Sequence, residues 1–136
     1  MNTPLQICRR SDLPSFAIDI IESHSLNEKE LFCSSGVSFG MPEKKFIFLL
    51  TEKKFISIVS EENARINNSR PFNLNCHSIF LSKIVGIQTS QFSDQTVLIH
   101  LITQNNGNYL IGLYSLEDSK VLLKIIHNRL NIMNEF

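Results

Sequence analysis

Three cysteines, Cys8, Cys33 and Cys76, and four histidines, His24, His77, His100 and His127, are the side chains best suited to act as nucleophile, base or soft metal ligand. Cys76 stands beside His77, the two types that a thiol nucleophile and its base would need. Consecutive side chains on an extended segment point to opposite faces, so that pair cannot readily share a hydrogen bond. His24 and His127 have no helical partner four residues on, and His100 would need metal ligands from elsewhere in the chain. The cysteines are odd in number, widely spaced and without a Cys-x-x-Cys pair. That pattern fits neither a disulfide framework nor a zinc site, and buried or idle thiols are expected. The segment from Gly36 to Gly40 has two glycines but no phosphate-loop lysine and no dinucleotide spacing. Glu61 and Glu62, in a polar stretch, read as solvated charge. The sequence therefore predicts no catalysis, no cofactor and no metal.

The elements that carry these residues must fit in 136 residues, the size of a single domain. Hydrophobic residues make up 43% and charged ones 19%, with a mean hydropathy of +0.01. Such a chain is too apolar to stay disordered and too often interrupted to span a bilayer. Thirteen basic residues balance thirteen acidic ones. With no net positive charge there is no long-range pull on polyanions, so nucleic acid is not an expected partner. Asp12, Pro14, Asp19 and Glu22 interrupt any apolar run after the basic N-terminus, which argues against a signal peptide and for a cytoplasmic location.

Leu13, Phe16, Ala17, Ile20 and Ile21 recur at helical spacing and predict an amphipathic helix, with Ser11 or Asp12 as its cap and Pro14 in its first turn. A first strand is expected from Leu31 to Val37, followed by a loop at Gly40-Met41-Pro42. The next two run from Phe46 to Leu50 and from Phe55 to Val59, close enough for a hairpin. Glu61 to Asn75 is polar and rich in asparagine, and predicts an irregular loop. Ile79, Leu81, Ile84, Val85 and Ile87 mark two short strands around Ser82 and Lys83. Thr96 to Thr103 and Tyr109 to Tyr114 flank an Asn-Gly turn and make strands six and seven. Ser115 and Asp118 cap a closing helix whose apolar stripe runs from Val121 to Met133. The predicted class is α+β: a seven-stranded antiparallel barrel or pair of bent sheets, plugged by the C-terminal helix and preceded by an extra N-terminal helix.

Leu50-Thr51-Glu52-Lys53-Lys54-Phe55-Ile56 resembles the Leu-Thr-x-Lys-Arg-Leu-Ile-like hairpin of pleckstrin-homology-type domains, in particular the bacterial PH and GRAM forms, with Lys54 in place of the commoner arginine. Leu81-Ser82-Lys83-Ile84-Val85-Gly86-Ile87 resembles the family's mid-barrel I-x-x-I run, and Ser115 to Met133 its closing helix. The resemblance covers Glu28 to Asn134. It divides the chain into an N-terminal extension, 1–27, and a PH-like domain, 28–136. It implies a binding module, and many such domains take phosphoinositides on basic loops at one end of the barrel.

The corresponding loops here run from Gly40 to Lys45 and from Ser60 to Pro71. Alternate loops of an antiparallel meander share an end, so Lys44, Lys45, Arg65 and Arg70 are the candidate lipid ligands, with Lys53 and Lys54 at the other end. Glu43, Glu61 and Glu62 in the same loops leave about one net positive charge, and each basic residue near an anionic leaflet contributes only ~1 kcal/mol. A protein partner is therefore the expected ligand. Phosphoinositide or another anionic lipid, with peripheral membrane attachment, is the runner-up. Strands two, three and six are apolar at nearly every position, as in strands covered on both faces. Leu13, Phe16, Ile20 and Ile21 supply either that cover or a surface for another chain, whether a second copy or a heterologous partner. The expected role is a non-enzymatic adaptor or scaffold.

Overall fold

The computed structural model describes residues 4–25, 27–38, 44–66 and 70–134, with the backbone alone at 37–38, 61–66, 70–73 and 132–134. In order come β1 (Gln6–Ile7), a 3-10 turn at Arg10–Asp12, α1 (Ser15–Ser25), β2 (Glu30–Ser38), β3 (Lys44–Thr51), β4 (Lys54–Ile66) and β5 (Arg70–Phe80). A second 3-10 turn at Leu81–Lys83 leads to β6 (Ile84–Ser93), β7 (Thr96–Thr103), β8 (Asn108–Ser115) and α2 (Leu116–Asn134). The chain is of the α+β class, mostly strands with a helix near each end.

The strands do not close into a barrel. They form a five-stranded sheet, β1-β2-β3-β4-β5, and a three-stranded sheet, β6-β7-β8, with every pairing antiparallel. The smaller sheet lies across the larger one. At one end of β8 the Tyr109 ring sits 5.8 Å from His77 of β5, and near the other end Tyr114 meets Phe32 of β2 at 6.2 Å. Hydrogen bonding alone cannot join strands that cross in this way, so the corner between β2 and β8 is filled by the N-terminal arm. Leu5 N–H donates to the Leu113 carbonyl at 2.7 Å, while Gln6 and Ile7 pair with Ser35 and Ser34. The Leu5 side chain fits only because glycine stands on both sides. A β-carbon at Gly36 or Gly112 would lie 2.7 or 2.4 Å from a Leu5 methyl, and Gly112 also has φ +155°.

The core has two layers. Between the sheets, Phe32, Phe48, Leu50 and Phe55 meet Val97, Ile99, Leu101, Ile111 and Tyr114, and α2 adds Leu122 and Ile126. On the outer face of the larger sheet, Leu13, Ala17 and Ile21 pack on Cys33, Ile47, Leu49, Ile56 and Ile58. Strands β3 and β4 are thus buried on both faces, which accounts for their unbroken apolar runs. Ser115 Oγ accepts the Asp118 N–H at 3.1 Å and so caps α2. At the first helix the expected cap sits one turn early: Asp12 accepts the Arg9 N–H and closes the 3-10 turn, and the Pro14 carbonyl begins α1.

The expected loop from Glu61 to Asn75 is instead the distal half of a hairpin. The ladder continues through Val59 with Asn75, Glu61 with Phe72 and Ile66 with Arg70, with register shifts on either side of Glu61. Backbone groups pair here whatever the side chains are, so a polar composition does not by itself make a coil. The two short strands expected around Ser82 are the end of β5 and the start of β6, joined by the 3-10 turn. Among the described residues no helix is long and apolar enough to cross a membrane.

Candidate functional site

The motif that carries the family resemblance is absorbed into the fold. Thr51 Oγ1 accepts the Lys53 and Lys54 N–H groups at 3.2 and 2.9 Å, and holds the β3–β4 turn. It also donates to Glu28 Oε1 at 3.2 Å. Lys54 Nζ meets Glu28 Oε2 at 3.3 Å, donates to the His24 carbonyl at the end of α1, and lies 5.2 Å over the Phe80 ring. At 20% and 11% side-chain exposure, Lys54 and Glu28 form a largely buried tie between helix and sheet. Lys54 is thus committed to contacts within the chain, at the wall of a pocket it shares with Lys53 and Phe80.

The four candidate lipid ligands share one end of the larger sheet. Lys44 is exposed and Lys45 half-buried at the start of β3. Backbone register puts Arg65 opposite Pro71 and Arg70 opposite Ile66, beyond the level of Lys44. The same register puts Glu61 opposite Lys44, so an acidic position faces the basic one. The side chains of Arg65 and Arg70, and most of the loop from Gly40 to Lys45, lie outside the described residues.

The candidate partner stripe is turned inward. Leu13 and Ile21 are buried, and Phe16 and Ile20 half-buried, all in the layer between α1 and the larger sheet. The chain's own strands take up this stripe, so it is not a free docking surface.

Cys76 packs in the α1 layer while His77 faces Tyr109 across the sheets, so the adjacent pair points to opposite sides. His127 is exposed on α2. His100 is half-buried on β7, and its Nδ1 atom is buried with no hydrogen-bond partner among the described residues. Among those residues no three His, Cys, Asp or Glu side chains gather where a metal could sit. Sequence spacing missed one juxtaposition: the arm brings Cys8 to Cys33, with the sulfurs 3.5 Å apart.

Two apolar surfaces remain. One is a cleft of about 200 Å³ between the sheets, floored by Phe48, Phe55, Leu101 and Ile111 with His77 and Tyr109 at its side. The other is the outer face of the smaller sheet. Strands β6, β7 and β8 contain no Asp, Glu, Lys or Arg. Along β7, Val97, Ile99 and Leu101 are buried inward while Leu98, His100 and Ile102 alternate with them, half-buried, on the outer side. Register puts Gln88, Ser90 and Leu110 on that same side. Leu110 is 44% exposed, and near the two ends of β6 stand Val85 and Phe92, at 61% and 55%. Neither helix covers this face: α1 lies on the other sheet, and the apolar side of α2 is in the inter-sheet core. Compared with family models, curated proteins and solved structures, the chain matches none.

Proposed function

We propose that this chain is a non-enzymatic adaptor or scaffold module, PH-like in plan, that recognises a protein partner through the outer face of β6, β7 and β8. The observation that carries the reading is an uncharged three-stranded sheet whose outer side, Leu98, His100, Ile102 and Leu110, has no covering helix. Leu110 is exposed beside the half-buried Leu98, His100 and Ile102, and apolar surface left without a cover often marks an interface. The succession of seven antiparallel strands and a closing helix after α1 supports the PH-like plan.

The test is affinity capture on the immobilised full chain, side by side with Leu110→Glu and Ile102→Glu variants of unchanged circular dichroism. A protein retained by the wild type and lost from both variants is the expected outcome. Sedimentation with phosphoinositide-containing vesicles at near-physiological salt tests the competing ligand. Salt-sensitive binding abolished by charge reversal at Lys44, Lys45, Arg65 and Arg70, with no protein captured, would overturn the proposal in favour of lipid.

A further inference from the structure

Cys8 directly follows β1 and continues its register with β2. Gln6 pairs with Ser35 and Ile7 with Ser34, and Cys8 N–H then donates to the Cys33 carbonyl at 3.0 Å. Directly opposed antiparallel residues have α-carbons about 4.5–5.5 Å apart. Disulfides bridge α-carbons about 4.4–6.8 Å apart. The sulfurs, now 3.5 Å apart, can therefore reach bonding distance by side-chain rotation without moving the backbone. Cys76 cannot compete. It lies on β5, three strands from β2 in the same sheet, or roughly 14 Å at about 4.8 Å per strand.

We propose that Cys8 and Cys33 form a reversible intramolecular disulfide that latches the N-terminal arm onto β2. The oxidant is a small-molecule disulfide of the glutathione class. Cys33 is only 3% exposed while Cys8 is half-buried, so the oxidant meets Cys8 first. The Cys8 thiolate attacks one sulfur of the oxidant, forming a mixed disulfide and releasing one thiolate. Cys33 then gives up its proton and attacks Cys8 Sγ, and the second thiolate leaves and takes up that proton. Each cysteine sulfur loses one electron, and the oxidant is reduced to two thiols. In the dithiol state the arm is held by Leu5 in its corner and a few backbone bonds, so it can lift from the edge of β2 at Ser34 and Ser35 and from β8 at Leu113. The latched state keeps Leu5 between Gly36 and Gly112.

The experiment equilibrates the full chain in glutathione buffers of graded oxidised-to-reduced ratio, quenches in acid, alkylates in denaturant and maps peptides by mass. The expected result is a Cys8–Cys33 linked peptide lacking two hydrogens, with Cys76 alkylated throughout. Amide exchange at Gln6 and Cys8, whose N–H groups face β2, should slow by about tenfold or more on oxidation. A Cys8→Ser variant should show neither change. Its substituted side chain is half-buried, so its native exchange pattern elsewhere reports that the fold is kept. Three results would overturn the proposal: both thiols alkylated at the most oxidising ratio, oxidation stopping at a Cys8 mixed disulfide, or a linked peptide with no slowing in the arm.

Discussion

Among the described residues Tyr114 is the largest fully buried side chain, and its hydroxyl shares a 2.8 Å hydrogen bond with Ser34 Oγ. Burial pushes the phenol above its ordinary range, with Ser34 opposing, so the group is neutral and needs a partner. Ser34→Ala orphans the hydroxyl and should cost about 1–3 kcal/mol, whereas Tyr114→Phe should cost about 1 kcal/mol. In urea unfolding the double variant should be less destabilised than the sum of the two, and additivity would mean that the bond contributes nothing. Cys33 makes a second residue-scale prediction. Its thiol is pushed well up by burial first, then by Cys8 and Glu30, against Arg10. Below its pKa the thiolate fraction grows with pH. Closure from the Cys8 mixed disulfide should therefore accelerate about tenfold per unit between pH 7 and 9, and a plateau near pH 8 in stopped-quench kinetics would contradict that account. Neither site was legible in the sequence, because the partners are 80 and 25 residues apart and no local spacing links them. The turn at Thr51 was legible as a hairpin, but the grip of Lys54 on Glu28 and the His24 carbonyl was not.

At the scale of elements, the two-residue β1 has more consequence than its length suggests. Leu5, 4% exposed, is wedged between two glycines on different sheets. Leu5→Ala should cost about 2–4 kcal/mol as a cavity at that corner. Gly112→Ala should destabilise by forcing a methyl against Leu5 and by imposing a β-carbon on a positive-φ residue. If the clash is the larger part, Leu5→Ala in the Gly112→Ala background should be far milder than in the wild type, as read from urea midpoints. Equal effects in both backgrounds would place the cost in the backbone alone. Sequence reading found both helices because caps and a 3.6-residue stripe are local signals. It missed β1, since two residues carry no period, and it took the distal β4–β5 hairpin for a loop because asparagine-rich strands carry no apolar alternation. Strands β3, β4 and β7 were read correctly as apolar at nearly every position, yet that pattern says nothing about what covers the second face. For β3 and β4 the cover is α1; for β7 neither helix supplies it.

Over the whole molecule the formal charge is zero, but the charges are segregated, with none on β6, β7 or β8. The net value read from composition hides this, because a balance of thirteen against thirteen is compatible with any arrangement on the surface. An uncharged face meets a copy of itself without like-charge repulsion, so in the absence of its partner the chain should self-associate weakly at high concentration. Association driven by apolar burial should change little with sodium chloride, since exposed charges contribute nothing to screen, and should strengthen in sulfate. Sedimentation velocity across a concentration series is the measurement, with Leu110→Glu as the comparison. That variant adds a charge at a position 44% exposed and should remain monomeric without loss of thermal stability. A wild type that sediments as a monomer at every concentration, indistinguishable from Leu110→Glu, would mean that this face does not attract even its own kind. Association that dissolves on raising sodium chloride would instead assign the contact to the charged end of the larger sheet, where Lys44 and Glu61 stand opposite each other.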